Sequence, residues 1–510
     1  MVEVNKIFDI AVIGGGINGT GVAADAAGRG LNVFLCEQND LASATSSNSS
    51  KLIHGGLRYL EHYEFNLVKK ALTEREILLK NAPHIIRPLR FRLPHQQHLR
   101  PSLLIRAGLF LYDNLAKRVT LPASKGIKFN ENSPLAASIT KGFEYSDGWV
   151  DDARLVVLNA VAAQNNGAMV KTQTKCIKAI RKNDVWCITV LNNLSGETYT
   201  VHARSVINAS GPWVARLFSD ALSLKSPQNV RLVKGSHIVV PRIHDQEEAY
   251  MLQNADQRIV FVIPFEDDFS LIGTTDVEYD GDPAEVKISE EETQYLINIT
   301  NDYFKNKITK ADIVKTYSGV RPLLDDESVN AQAVTRDYTL ELEDVAGKAP
   351  ILSVFGGKIT TYRKLAEAAV NKIVPYFENT GPAWTENAPL PGGDFTHLAV
   401  LTNAITKQYP WLPLKLRTRM IRNYGTRITD VLGAASSLQS LGQMFGADLY
   451  EQEVNFLIER EWANKVEDII WRRTKLGLYL SAQQVNDIKE YLLNQTAILA
   501  RKSSALTKVA

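Results

Sequence analysis

Cysteine is scarce in this 510-residue chain, with Cys36, Cys176 and Cys187 the only three. An odd, widely spaced trio without a CxxC pair excludes a disulfide framework and gives no ligand pattern for structural zinc. Each lies in an apolar, strand-like stretch (VFLCE, TKCIKAI, VWCITV), which predicts buried, reduced thiols suited to a reducing cytosol. Long apolar runs are lacking too. No segment approaches the roughly 18 consecutive apolar residues of a membrane-spanning helix, and the most apolar one, residues 103–112, is broken by Arg106. No basic region precedes the first apolar run, which carries Asp9, so no signal peptide is expected. Net charge is nearly absent: 58 Lys+Arg against 56 Asp+Glu leaves +2, which excludes a strongly basic nucleic-acid protein on whole-chain averages. HExxH and Cys/His ligand spacings are missing, so no metal is predicted. There is no internal repeat.

What is present is the mix of a soluble protein with a large core, 45% hydrophobic and 22% charged. At roughly 150 residues per domain, the length suggests about three structural units. Residues 7–13 (IFDIAVI) are apolar and rich in β-branched side chains, and they end at three glycines. Residues 17–29 then read as a helix with small faces, and after Gly30 a second strand-like run, LNVFLCE, follows. Strand, turn, helix and strand in that order open a βαβ unit and imply a parallel sheet. Residues 185–206 and 230–277 read as successive strands with polar turns, the pattern of an antiparallel sheet beside the parallel one. Residues 378–395 combine prolines and glycines without helical periodicity and are the expected linker. Beyond it, residues 396–500 have helical spacing.

Four motifs carry chemistry. Gly14-Gly15-Gly16-Ile17-Asn18-Gly19 is a GxGxxG between strand and helix, where glycines allow a tight turn and a pyrophosphate rests on the helix N-terminus. Glu37, at the end of the second strand, is placed to accept a ribose hydroxyl. No second GxGxxG occurs, which predicts one tightly bound dinucleotide, FAD or NAD. The stretch 43–61 (SATSSNSSKLIHGGLRYLE) offers hydroxyls and backbone N–H groups, then a Gly-Gly turn with Arg58 and Tyr59, and suits a loop laid along a flat ring. The alternative is a flexible loop and helix cap. VINASGPW (206–213) and LSVFGGKITTYR (352–363) each end a strand in small residues, the latter with Lys358 at a helix entry, where reduced-flavin charge could be stabilised. Arg58, Arg321, Arg336 and Lys358 all sit beside Gly, Pro or Tyr, and converging cations point to an anionic ligand. His237 (KGSHIVVP) and His54 are candidate proton acceptors.

The motifs DIAVIGGGINGTGVAADAAGRG, SSKLIHGGLRYLE, KGSHIVVP, IGTTDVEYDGDP, YSGVRPL, SVFGGKITTYRKLAE and WRRTKLG together resemble the FAD-dependent, respiratory glycerol-3-phosphate dehydrogenases. The resemblance implies an α/β fold: an FAD-binding Rossmann-like domain of the glutathione-reductase/D-amino-acid-oxidase type, an antiparallel-sheet substrate domain and an all-α C-terminal domain. The core would span residues 1–390, with FAD-binding segments at about 7–80, 150–225 and 345–380 and substrate segments at about 81–149 and 226–344; residues 391–510 would be the helical domain. It further implies oxidation of sn-glycerol 3-phosphate to dihydroxyacetone phosphate, with electrons passed to membrane quinone. The protein would be a homodimer in the cytoplasm, peripherally bound to the bilayer surface at the inner face of the membrane, with no nucleic-acid partner. On this resemblance Gly14, Gly15, Gly16, Gly19 and Glu37 hold the adenosine diphosphate part of FAD. Ser49, Ser50, Lys51, Leu52 and His54 line the isoalloxazine ring, and Ala209, Gly211, Gly357, Lys358, Ile359 and Thr360 complete the site. Arg58, Tyr59, Arg321, Arg336 and Lys358 form the substrate pocket. His237 is the first choice of catalytic base, with Lys358 and His54 as rivals, and Arg321 is the remaining catalytic candidate. An oxygen-using oxidase, a flavoprotein sensor without catalysis and a nucleic-acid-binding flavoprotein are the alternatives.

The near-zero net charge conceals an uneven distribution. Residues 51–128 hold 15 Lys+Arg against 5 Asp+Glu, so the rest of the chain is acidic. Residues 100–118 (RPSLLIRAGLFLYDNLAKR) join a bulky apolar run, including Leu109 and Phe110, to Arg100, Arg106, Lys117 and Arg118. That composition suits a helix lying on anionic lipid, or a core helix with exposed charged ends.

Overall fold

The computed structural model describes residues 6–507 other than 97, 98, 255, 257 and 325–336, with side chains up to residue 495. It divides into two compact units, Met1–Ala388 and Pro389–Ala510.

Strand β1 (Ile7–Ile13) lies between two parallel partners, strand Thr198–Asn208 and strand β2 (Val33–Cys36). A strand paired on both sides and covered on both faces has no polar face to show, which is why IFDIAVI is almost continuously apolar. The sheet continues outward through Lys348–Gly356 and Tyr338–Val345 on one side and Met169–Lys171 on the other. Helix α1 (Ile17–Gly28) connects β1 to β2 and is buried along almost its whole length. Its small residues let neighbours approach: a Cβ on Gly21 would stand 2.9 Å from the Tyr362 ring, and one on Gly28 would overlap the Trp384 indole.

Three expectations need correction. Residues 185–206 are not part of the second sheet. Val185–Asn192 pairs with the first half of Thr198–Asn208, whose second half runs parallel to β1, so one long strand serves both an antiparallel flap and the parallel sheet. The expected linker does not start at residue 378: Trp384 packs on α1, with its indole N–H donating to the Asp25 carbonyl at 3.1 Å, so this stretch belongs to the first unit up to residue 388. Cys36 and Cys176 are buried, but Cys187 is only half-buried. It falls on the opposite face of its strand from the inward-facing Trp186, Ile188 and Val190, and its sulfur lies 3.4 Å from His202 Nδ1.

The second sheet is mostly antiparallel. Its long strand Val230–Pro241 is flanked by Lys315–Leu324 and Phe269–Gly273. Helix Glu290–Tyr303 adds a side-chain layer through Leu296, Ile297, Ile299 and Tyr303, and starts at a Ser289/Glu292 capping box. The two sheets are tied by buried ion pairs carried on helix Phe65–Asn81. Glu74 takes a two-point contact from Arg363 at 2.5 and 2.8 Å, and Arg75 meets Asp147 at 2.7 Å. The unit Pro389–Ala510 is a helical domain around Leu416, Tyr424, Val454 and Leu457, with one small hairpin at Met444–Gly446 and Leu449–Tyr450.

Candidate active site

The GxGxxG turn closes against the end of strand Thr198–Asn208. Gly14 has φ +115°, and a Cβ there would come within 2.5 Å of the Ala209 carbonyl oxygen. Gly15 donates its N–H to Glu37 Oε2 at 2.7 Å, which draws the carboxylate at the end of β2 onto the turn. Gly16 is the N-cap of α1 and supplies no side-chain cap, and no acidic residue occupies the first turn. Ser46 Oγ accepts the Ile17 N–H at 3.0 Å. The result is a helix N-terminus capped at Ile17 by Ser46 alone, with the Glu37 carboxylate beside the turn.

A second cluster forms where three distant segments meet. Asn18, inside the GxGxxG, donates to the Gly356 carbonyl at 3.2 Å and so links the first motif to the Gly-Gly turn at 356–357. That turn leads through Lys358 and Ile359 to Thr360, whose hydroxyl accepts the His54 N–H at 3.2 Å. Lys358 Nζ lies 3.8 Å from the centre of the Tyr59 ring, a cation–π contact between residues 299 positions apart. Arg58 and Tyr59 ride on a short 3₁₀ helix, Leu57–His62, immediately after Gly55-Gly56. Behind that turn, the Gly55 N–H is held by the Tyr112 hydroxyl at 2.9 Å, and Tyr112 in turn donates to buried Asp147.

Loop 45–51 is fastened from below by Asp152. Lys51 Nζ meets Asp152 Oδ1 at 2.7 Å, both groups buried, and Ser49 Oγ donates to Asp152 Oδ2 at 2.7 Å. The Lys51 ammonium is therefore paired with Asp152 inside the fold. Leu52 is buried in strand Leu52–Ile53, and the Tyr317 hydroxyl donates to the Ser49 carbonyl at 3.0 Å. His237 is only 2% exposed; Ser50 Oγ lies 2.9 Å from its Nε2, and Tyr317 stacks on its ring at 4.8 Å. Burial first, then the Arg321 and Lys51 charges, push its pKa well below the usual histidine value. His237 is thus held neutral, and Ser50 stands at Nε2. Arg321, on strand Lys315–Leu324, pairs with Asp276 and gives Nη2 to Thr274 Oγ1 at 3.0 Å. Gly211, with φ +57°, begins the turn after Ala209 and has open space around its Cα. Arg336 lies outside the described residues.

Sequence reasoning missed Asp152, Tyr317, Thr274 and Asp276. The last two stand in IGTTDVEYDGDP, a motif noted only as part of the resemblance. Their alternation with Thr275, which turns the other way to donate to Glu292 at 2.7 Å, was the available signal.

A family model described as FAD dependent oxidoreductase matches residues 9–363, and one described as the C-terminal domain of alpha-glycerophosphate oxidase matches residues 383–498. A glycerol-3-phosphate dehydrogenase of Pseudomonas aeruginosa is 56% identical over 491 residues, covering 96% of both chains. The chain belongs to the FAD-dependent glycerol-3-phosphate dehydrogenase family. The aerobic glycerol-3-phosphate dehydrogenase of Escherichia coli is 55% identical over 492 residues, covering 96% of this chain and 98% of that one. A D-erythritol 1-phosphate dehydrogenase of Brucella abortus is 49% identical over 495 residues, with the same coverage. Among solved structures, the glycerol-3-phosphate dehydrogenase of Bacillus halodurans complexed with FAD superposes with a TM-score of 0.76 at 27% identity, over 97% of this chain and 91% of that one.

The cofactor of this family, FAD, fits the residues present. The α1 N-terminus, with a glycine at its N-cap and no acidic residue in its first turn, suits the pyrophosphate, and the glycine whose Cβ would fill the turn keeps the backbone approachable. One dinucleotide turn matches one dinucleotide cofactor.

Within the first unit, helix Ser102–Asn114 turns Leu109 (1% exposed) and Tyr112 inward, while Leu103 (83%), Leu104, Phe110 (69%) and Leu111 face out. Leu109 is therefore a core residue, not a surface one. Part of the basic strip before it is paired, Arg90 with Glu144 at 2.7 Å and Arg92 with Glu248 at 2.6 Å, while Arg87 lies over the Trp149 ring. Arg106 and Lys117 remain exposed on the helix and just past its end. No helix among the described residues is long and apolar enough to cross a membrane.

Proposed function

We propose that this chain oxidises sn-glycerol 3-phosphate to dihydroxyacetone phosphate and delivers the electrons to membrane quinone. The observation that carries this reading is the meeting of Lys358 and Tyr59 on turns that also join His54 to Thr360, which brings a cation, an aromatic ring and the helix bearing Arg58 together. A phosphate-bearing polyol suits that grouping, because a cation set on short, glycine-bounded turns binds an anion with little ordering cost. The names of the two most identical relatives described above support the same substrate.

In this reading Gly14, Gly15, Gly16, Gly19, Glu37, Ala209 and Gly211 hold the adenosine diphosphate part, and Ser49, Ser50, Leu52, His54, Gly357, Ile359 and Thr360 line the ring, with Lys51 acting through Asp152. FAD, when bound, supplies the hydride-accepting chemistry. Arg58 and Lys358 fix the phosphate, and Tyr59 walls the pocket, so that C2 is presented in one orientation. His237, neutral and hydrogen-bonded to Ser50, accepts the hydroxyl proton through that serine, with Lys358 and His54 as alternative acceptors. The outward apolar row of Leu103, Leu104, Phe110 and Leu111, with Arg106 and Lys117, rests on the inner face of the cytoplasmic membrane and brings the enzyme to its quinone. The working form is a homodimer.

The test is turnover of the purified holoenzyme with glycerol 3-phosphate and a short-chain ubiquinone in anionic vesicles. Quinone reduced mole for mole with substrate supports the reading. Hydrogen peroxide formed mole for mole, with quinone untouched, would make the protein an oxidase. The 49% identity to a D-erythritol 1-phosphate dehydrogenase favours a second reading, a four-carbon polyol phosphate. A higher kcat/KM for D-erythritol 1-phosphate in the same assay would establish it.

A further inference from the structure

The segment Thr274–Asp276 is built to present two side chains to Arg321. Thr275 points to the far side and is locked there: its hydroxyl donates to Glu292 at 2.7 Å and accepts the Ser236 N–H at 3.0 Å. Glu292 is also held by Lys234 at 2.8 Å and by Ser236 Oγ at 3.0 Å. With the middle residue anchored on one side, Thr274 and Asp276 turn together toward the other. There Asp276 pairs with Arg321 Nη1, and Thr274 Oγ1 accepts from Nη2 at 3.0 Å.

The same alternation operates on strand Val230–Pro241. Ser236 faces the Glu292 network, whereas Gly235 and His237 share the other face. A Cβ on Gly235 would stand 2.5 Å from Arg321 Nη2 and 2.6 Å from Thr274 Oγ1, so the glycine is what lets the guanidinium lie on the strand two residues from His237. Because Arg321 lies over Gly235, two residues along the strand from His237, its charge adds to burial in depressing the His237 pKa. The Arg321 side chain keeps 27% of its surface exposed and Asp276 keeps 14%.

A guanidinium already matched to a carboxylate is a poor phosphate clamp, because a phosphate dianion drawn to Arg321 would also face Asp276. A donor next to an acceptor, with no net charge, suits a hydroxyl, which needs both. We propose that Asp276, set by Thr275 and paired with the Arg321 that also donates to Thr274, is a specificity-determining residue that reads the terminal hydroxyl of the polyol phosphate, leaving the phosphate to Arg58 and Lys358. This rests on the substrate reading given above.

The experiment compares glycerol 3-phosphate with propane-1,2-diol 1-phosphate, which keeps the secondary hydroxyl and phosphate but lacks the terminal hydroxyl, in wild-type holoenzyme and Asp276→Asn. Wild type is expected to prefer glycerol 3-phosphate in kcat/KM by about tenfold or more, the worth of a hydrogen bond to a charged group. Asp276→Asn should bring that preference to about threefold or less. Inorganic phosphate, as a competitive inhibitor, should bind the variant more tightly, because the Arg321 charge is no longer compensated. Thr274→Val, a milder change, should lower the preference and leave phosphate inhibition unchanged. An unchanged preference in both variants overturns the proposal. So does a parallel weakening of both substrates and of inorganic phosphate, which would mean a purely structural role. Tighter binding of both substrates with the preference intact would assign the pair to the phosphate end, and that also overturns it. If wild type is reduced by D-erythritol 1-phosphate and by neither three-carbon compound, the substrate reading fails instead. The Asp276 comparison then runs on erythritol 1-phosphate and its terminally deoxygenated analogue.

Discussion

Replacing Gly14 by alanine tests the nucleotide turn in a way that separates backbone strain from collision. At φ +115° an L side chain is strained whatever space is available, at a cost of about 1–3 kcal/mol. The new Cβ would also stand 2.5 Å from the Ala209 oxygen and 2.8 Å from its carbonyl carbon. Reaching ordinary contact requires β1 and the turn after Thr198–Asn208 to separate by roughly 0.5–0.9 Å, and forced overpacking of this kind costs about 1–3 kcal/mol more. Both segments line the same turn, so about 2–6 kcal/mol opposes the cofactor-binding geometry, or at least about 30-fold in FAD affinity. Gly30→Ala is the control, with φ +89° and nothing within 4 Å of its Cβ. It carries the strain without the collision. The assay is titration of apoprotein with FAD, read by flavin fluorescence, beside a melting curve for each variant. A Gly14→Ala protein that binds FAD within about twofold of wild type would refute the reasoning, since a 2 kcal/mol penalty is about 30-fold. Equal losses at Gly14 and Gly30 would refute the steric part alone.

Further outcomes follow from buried charge and exposed apolar surface. His244, stacked on Phe304, has its pKa pushed down to about 4, mainly by burial. The native state then refuses a proton that the unfolded chain takes up below pH 6.5, so this stability is full above pH 6.5 and falls as pH drops toward 4. The loss is about 3 kcal/mol, and His244→Asn should flatten that part of a urea-unfolding series against pH. Glu74→Ala removes the two-point partner of buried Arg363, leaves it only the Glu367 carboxylate at 2.8 Å, and should cost about 2–3 kcal/mol in the same unfolding assay, while Glu74→Ala with Arg363→Met should recover part of it. Leu103→Asp with Phe110→Asp should abolish sedimentation with anionic vesicles and leave flavin absorbance intact; retention on vesicles would sink the membrane reading. Leu109→Asp, by contrast, should lower the melting temperature, because that side chain is core.

Local signals were readable where one physical demand acts on consecutive residues. The β1 turn, α1 and β2 follow from IFDIAVI, GGGING and VFLC, because a doubly paired strand and a phosphate-binding turn each impose their residue types directly. The stretches 43–61 and 352–363 are legible as glycine turns beside cations, and Lys358 and Tyr59 meet. What stayed hidden depends on pairing across the chain. Nothing in LNVFLCE or VWCITV tells which sheet a strand joins, so Val185–Asn192 was placed in the wrong one. Trp384 in a proline-rich stretch reads as linker until Gly28 offers it a groove. Leu109 and Phe110 are adjacent and equally apolar, and only helix phase separates core from surface. The pairing of Lys51 with Asp152, 101 residues away, is likewise invisible along the chain.

The proposed reaction hands a hydride from glycerol 3-phosphate to FAD. Adding sn-glycerol 3-phosphate to the purified holoenzyme without oxygen or quinone tests it in one step. The account predicts complete bleaching of the flavin absorbance at one equivalent or a small excess, with dihydroxyacetone phosphate formed mole for mole. A flavin that stays oxidised at saturating substrate, in a protein that retains its FAD, would contradict it.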